Sequence, residues 1–173
     1  MLNELQRYLS EYEIIPITED NYYDAVDVYE SNQDFFLLTE GKKASISGML
    51  ENINAIPNGF DIKNKYHVGL QQNGSVVAVI DFLVGYPACD CVWVGLLLVH
   101  GEFKGKSMGS CIVKALLSAA RDTGCKEAKL GVIDKNTRGV NFWEKNGFVK
   151  IAAESMALRG EQLEIIVLKY TLN

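Results

Sequence analysis

Apolar positions over the first dozen residues recur at helical spacing, and Leu2, Leu5, Leu9 and Tyr12 predict a short leading helix. Ile14-Ile15-Pro16-Ile17 reads as an edge strand, because proline cannot donate to a ladder. Thr18 to Asp20 offer N-cap side chains to a helix through Tyr22, Val26 and Tyr29. A second helix, over about residues 43–54, stops before the turn signal Pro57-Asn58-Gly59. The period then changes to two. Tyr66, Val68 and Leu70 alternate with polar neighbours, Asn73-Gly74 marks a hairpin, and Val76–Val84 returns from it. Val92–Val99 is a near-continuous apolar run, the pattern of a central strand covered on both faces. Gly109, Ile112, Val113, Leu116, Leu117 and Ala120 trace one helix face, closed by Gly124 at C′. Ala128, Leu130 and Val132 form the next strand, and a short helix from Thr137 ends at Asn146-Gly147. Phe148–Ile151 and Leu163–Leu172 are the last two strands.

Sequential hairpins followed by a strand–helix–strand crossover predict the α+β class, a largely antiparallel mixed sheet of six or seven strands with helices on both faces. Residues 1–13 are read as an N-terminal helical extension and residues 14–173 as a single domain. Leu2, Leu5 and Leu9 can pack on that domain or on a partner, so monomer and homodimer both stay open. The length of 173 residues suits one domain, and 48% apolar with 23% charged residues excludes a disordered chain. The apolar run Val92–Val99 is far short of the ~20 residues of a membrane span, and the first residues lack the basic and apolar regions of a signal peptide. No membrane partner and a cytoplasmic location are therefore expected. Cys89, Cys91, Cys111 and Cys125 show no zinc-ligand spacing, so no metal is expected.

Charge changes the picture. The net charge is −5, yet residues 1–62 hold 12 acidic and 3 basic residues while residues 63–173 hold 10 and 14. The basic part lacks the aromatic-plus-basic motifs of RNA modules, so no nucleic-acid partner is expected. Its singly spaced cations, Lys104, Lys106, Lys114 and Arg121, suit a small polyanion. The chemistry concentrates in His100-Gly101-Glu102-Phe103-Lys104-Gly105-Lys106-Ser107-Met108-Gly109-Ser110, a cationic loop of small residues between a buried strand and a helix start. Amides at a helix start have no internal partners, and the macrodipole adds positive charge there, so an anion fits. The loop is neither a Walker loop nor G-x-G-x-x-G.

This segment resembles motif A of the GNAT acyl-CoA-dependent N-acetyltransferases. Their pattern [QR]-x-x-G-x-[GA] stands here as Lys104 through Gly109, with Lys for Arg/Gln and Ser107 for the middle glycine. Asn136 through Phe142-Trp143-Glu144-Lys145-Asn146-Gly147-Phe148 is similar to the family's motif B. The resemblance implies a GNAT-like fold and transfer of an acetyl group from acetyl-CoA to a primary amine of a small molecule or peptide. Direct attack by a neutral amine requires deprotonation and stabilisation of an oxyanion. It also implies site roles. Leu97 and Val99 would offer backbone groups to the acyl carbonyl and pantetheine arm. Amides from Lys104 through Gly105, Lys106, Ser107, Met108, Gly109 and Ser110 would cradle the pyrophosphate, and Asn136 would reach the pantetheine.

Trp143 departs from the family's usual tyrosine, whose hydroxyl protonates the leaving thiolate; an indole N–H donates but is no useful acid. It either packs beside Phe142 and Phe148 or walls the CoA site. With Lys104 and Ser107 it favours the alternative reading, a catalytically silent acyl-CoA-binding regulatory module. Two residues are candidate bases. Asp81 lies on the Val77/Val79/Leu83 face of its strand, where apolar neighbours would raise a carboxyl pKa, or it caps the loop toward Tyr86-Pro87. His100 follows the central strand and acts as a base or supports the loop. His67 reads as a surface residue of a hairpin. The acidic residues 1–62 predict a cationic acceptor, chosen by residues 22–64 and the loops at Tyr86–Asp90 and Ala153–Glu161.

Overall fold

Alternating and β-branched segments build the strands β1 (Glu13–Pro16), β2 (Lys65–Gln72), β3 (Ser75–Val84), β4 (Cys91–Val99), β5 (Glu127–Ile133), β6 (Val149–Leu158) and β7 (Glu161–Thr171). The computed structural model describes residues 1–158 and 161–173, and in it these seven strands form one sheet in the order β1-β2-β3-β4-β5-β7-β6. All pairings are antiparallel except β4 with β5. The helices are α1 (Leu2–Tyr8), α2 (Val26–Glu30), α3 (Gln33–Glu40), α4 (Ile46–Asn54), α5 (Met108–Asp122) and α6 (Thr137–Lys145). This is the mixed architecture expected, with seven strands.

The sheet has a core on each face. On one, α5 buries Ile112, Val113, Leu116 and Ala120 against Ile80, Phe82, Val92 and Leu130, joined by Trp143 of α6 and by Leu5 and Leu9 from the leading helical segment. On the other, Val28 and Tyr29 of α2, Phe36 of α3 and Met49 and Ile53 of α4 pack on Val79 and Leu98. Full burial of each such aliphatic side chain contributes roughly 1.5–3 kcal/mol. Gly124 ends α5 at φ +92°, as a C′ glycine should. Among the described residues, no helix is long and apolar enough to cross a membrane.

The chain departs from its sequence pattern in four places. The helix expected over about residues 43–54 begins at Ile46, and α3 precedes it unforeseen, because Phe35-Phe36-Leu37-Leu38 is an unbroken run without helical spacing. Thr18 caps no helix; Asn21 accepts from its amide, and a 3₁₀ turn over Tyr22–Ala25 leads into α2. Strand β6 runs on from Ile151 to Leu158 because it pairs with β7 over its whole length, at an exposed edge where no apolar alternation is needed. The expected acceptor loop at Ala153–Glu161 is thus strand up to Leu158, and Arg159 and Gly160 lie outside the described residues. His67 is buried, at 6% exposure, since it stands in β2 directly across from Asp81.

Candidate active site

Strand β4 is the frame. Seven of its nine residues pair with β3, but β5 follows it only over Cys91–Val94. The register shifts between Asp81 and Phe82: Asp81 crosses Leu96 and Phe82 crosses Val94, so Gly95 is one residue too many. A bulge of this kind bends the strand and ends regular pairing. A Cβ on Gly95 would lie 2.7 Å from Oδ1 of Asp81, so only glycine fits there. Beyond this point β4 and β5 part, and residues 95–99 of β4 face a slot.

The loop after β4 folds on backbone contacts. His100 Nδ1 accepts from the Glu102 amide at 3.3 Å, and the Gly101 amide donates to Ser31 Oγ at 3.0 Å. Lys104 Nζ donates to the Ser31 carbonyl at 3.2 Å. Burial first, then the charge of Arg138, holds the Lys104 ammonium below the ordinary lysine pKa. Gly105 at φ +75° and Ser107 at φ +65° turn the chain into α5. Among the described residues, none of the six consecutive amides from Gly105 to Ser110 donates to a protein acceptor. Six free N–H groups at the start of a 15-residue helix are a cradle for an anion. Gly109 keeps the cradle open to α6, since a Cβ would press on the Phe142 ring at 3.2 Å.

A cavity of about 590 Å³ joins slot and cradle. The structure brings Leu97, Val99, Lys104, Gly105, Ser107, Met108, Gly109, Ser110, Asn136 and Trp143 together on its wall. Asn136 caps α6 through Oδ1, which accepts from the Gly139 amide at 2.9 Å. The Trp143 ring packs 5.1 Å from Phe142 and from Phe148, and it also lines the cavity. Lys106 is not on the wall; its ammonium lies 5.7 Å over the Phe103 ring. The wall also takes Asn32, Asp34 and Phe35 from the start of α3, and Arg138 of α6. Buried Asn32 is the important omission: its Nδ2 donates to the Val28 and Val99 carbonyls at 2.7 and 3.0 Å, tying the helices to the end of β4. Only the helix-start signature Asn32-Gln33-Asp34 could have pointed to it.

Neither candidate base is on that wall. His100 serves its loop, with its ring against Phe103. Asp81 sits on the opposite face of the sheet, and its expected apolar surround is replaced by basic partners. Its Oδ2 meets Lys65 Nζ at 2.6 Å and His67 Nδ1 at 2.8 Å, and His67 Nε2 lies 3.3 Å from the Tyr29 hydroxyl. Burial, then the charge of Asp81, pushes the Tyr29 phenol up, so it stays a protonated donor. No cluster among the described residues could hold a metal ion.

The comparisons with known proteins agree with this geometry. Residues 6–148 match the acetyltransferase (GNAT) family. The chain belongs to that family. GNAT acetyltransferases use acetyl-CoA as co-substrate, and the free amides, the adjacent Lys104 and Arg138 and the open slot suit its pyrophosphate and its amide-bearing arm. A 51-residue stretch is 33% identical to thialysine N-epsilon-acetyltransferase of Bos taurus, and equally to that of Sus scrofa, over 30% of this chain and 30% of each relative. The chain thus matches about three tenths of the length of these curated relatives. The ribosomal-protein-S18-alanine N-acetyltransferase of Escherichia coli superposes with a TM-score of 0.65 at 15% identity, covering 94% of each chain. An acetyltransferase of Thermus thermophilus does so with a TM-score of 0.67 at 18% identity, covering 90% of this chain and 95% of its own. At these identities the likeness is one of fold.

Proposed function

We propose that this GNAT protein transfers the acetyl group of acetyl-CoA to a primary amine by direct attack, as one catalytic domain that includes the leading helix. The observation that carries the reading is the run of six free amides at the start of α5, opening into the slot between β4 and β5. Acetyl-CoA supplies an activated thioester. The amides of Gly105 to Ser110 hold its pyrophosphate, with Lys104 adding charge, and the backbone of Leu97 and Val99 orients its arm. The side chain of Asn136 is committed to Gly139 through Oδ1, which leaves Nδ2 to donate toward the arm. Asp81, across the slot from the donor cavity, serves the amine, while His100 is a support of the loop. The acidic residues 1–62 favour a cationic acceptor, and the thialysine N-epsilon-acetyltransferases support a primary-amine one. Four free thiols suit the reducing cytoplasm.

Calorimetry with acetyl-CoA tests the donor site; absence of binding at sub-millimolar ligand rejects it. Trp143 favours a second reading, a silent acyl-CoA-binding module, since the ring in the family's acid position has no ionisable hydroxyl. Thiol release over a panel of amines separates the two: tight binding without turnover selects the module.

A further inference from the structure

The last rung between β4 and β5 joins Val94 to Leu130, so Gly95 and Gly131 are the first residues past it on the two strands. Both are exposed, and neither has a side chain to fill the opening. On the β4 bank the neighbour of Gly95 is Asp81. Both of its basic partners meet Oδ2, which leaves Oδ1 turned to the glycine, 2.7 Å from where a Cβ would stand. On the β5 bank a Cβ on Gly131 would meet Ile165 Cγ2 at 3.0 Å and Trp93 Cζ2 at 3.7 Å, so the Trp93 ring borders this bank beside Ile165. Trp93 crosses Leu83, two residues beyond Asp81 on β3, so ring and carboxylate share one face of the sheet. This is the face opposite α5.

Trp93 starts a row. Its ring meets Tyr86 edge-on at 5.8 Å, and Tyr86 meets Phe60 edge-on at 5.8 Å. None of the three is fully buried. Three half-wet rings leading away from a carboxylate form a surface that takes an apolar arm at one end and an ammonium at the other. Of the cations on that face, Lys65 is held by Asp81 Oδ2 and Lys129 pairs with Glu127, so neither presents a free charge to the row. Hydroxyls or further ammonium groups laid along these rings would lose water without gaining partners.

Building on the acetyltransferase reading, we propose that the acceptor is a primary amine on an aromatic or alkyl arm. Its ammonium sits at Asp81 Oδ1, and its arm lies along Trp93, Tyr86 and Phe60. Polyamines and aminosugars are disfavoured. The glycine at position 95 lets an unbranched amine reach Asp81 Oδ1 at the slot from this face.

The test measures thiol release from acetyl-CoA with phenethylamine, spermidine and glucosamine, together with calorimetric binding of phenethylamine to the CoA-loaded protein. The expected kcat/KM for phenethylamine exceeds the other two at least tenfold. Trp93→Ala should lower it tenfold or more through KM for the amine, with KM for acetyl-CoA unchanged. Tyr86→Ala, in the loop beyond β3, should act in the same direction and serves if Trp93→Ala does not fold. Preference for spermidine or glucosamine, no calorimetric binding of phenethylamine, or unchanged amine KM in the folded variants overturns the assignment. Failure to bind acetyl-CoA overturns the donor reading instead, so the two failures are distinct.

Discussion

The two faces of the sheet carry sites made of different material. On the α5 face, the cradle is backbone: six amides over residues 105–110, shaped by Gly105, Ser107 and Gly109. On the α2 face, the polar group is made of side chains from three elements, Tyr29 of α2, Lys65 and His67 of β2, and Asp81 of β3. A backbone cradle tolerates change in most side chains and depends on where there is none. A buried charged cluster depends on every member, because each ion is compensated only by its neighbours. Substitutions on the second face should therefore strike stability first, and those on the first should strike binding with the fold intact.

The largest effect is expected at Asp81. Asp81→Asn leaves the Lys65 ammonium, 3% exposed, without its counter-charge and should cost about 3–5 kcal/mol in urea unfolding. A loss under ~1 kcal/mol would mean the pair is not dry in solution, and the contrast between the faces would fail. Gly109→Asp comes next. It puts a carboxylate among the amides meant for phosphate and a Cβ against Phe142, and should weaken acetyl-CoA by roughly a hundredfold, about 2.7 kcal/mol. Calorimetry on variant protein with an unchanged melting transition gives the number; normal affinity would move the cradle elsewhere.

A smaller effect follows from Lys104. Its pKa is lowered, by burial above all, and phosphate prefers the charged form. Affinity for acetyl-CoA should fall, by less than about tenfold, as pH rises through that lowered value. Lys104→Arg, which stays charged, should remove the fall. Binding isotherms over alkaline pH check this, and a fall that persists in the arginine variant assigns it to another group. The smallest effect is at Trp143. Trp143→Phe should cost about 1–2 kcal/mol of packing and leave kcat within a few-fold, because no proton leaves the mechanism. A drop of about a hundredfold with CoA affinity intact would be the signature of a lost acid–base group.

The same contrast decides what could be read from the chain before folding. The proposed donor site is nearly contiguous: strand, small-residue loop and helix start follow one another from Leu97 to Ser110, so spacing marks an anion site there and the motif resemblance assigns it to the donor. Asn136 and Trp143 come with a second short motif. The cluster around Asp81 is invisible for the opposite reason. His67 looks like a hairpin residue until register sets it across from Asp81, and Lys65 and Tyr29 join from segments with no motif. Asn32 escaped because α3 has no helical spacing of apolar residues, and without α3 nothing reaches back to Val99. Local order was legible; the meeting of distant segments was not.

The overhang of β4 has a consequence for the life of the protein. Residues 96–99 are paired with β3 on one side, and on the other Asn32 reaches only the Val99 carbonyl. On the proposed reading the donor's arm completes this ladder, a removable eighth strand. A ligand that binds only the folded state adds about 2.7 kcal/mol at a hundred times its Kd, a large share of the roughly 5–15 kcal/mol that holds a domain together. Marginal stability sets how fast proteases clear a protein from the cell. On that reading the abundance of this protein should follow the supply of the proposed donor, accumulating when acetyl-CoA is plentiful and being degraded when it is scarce.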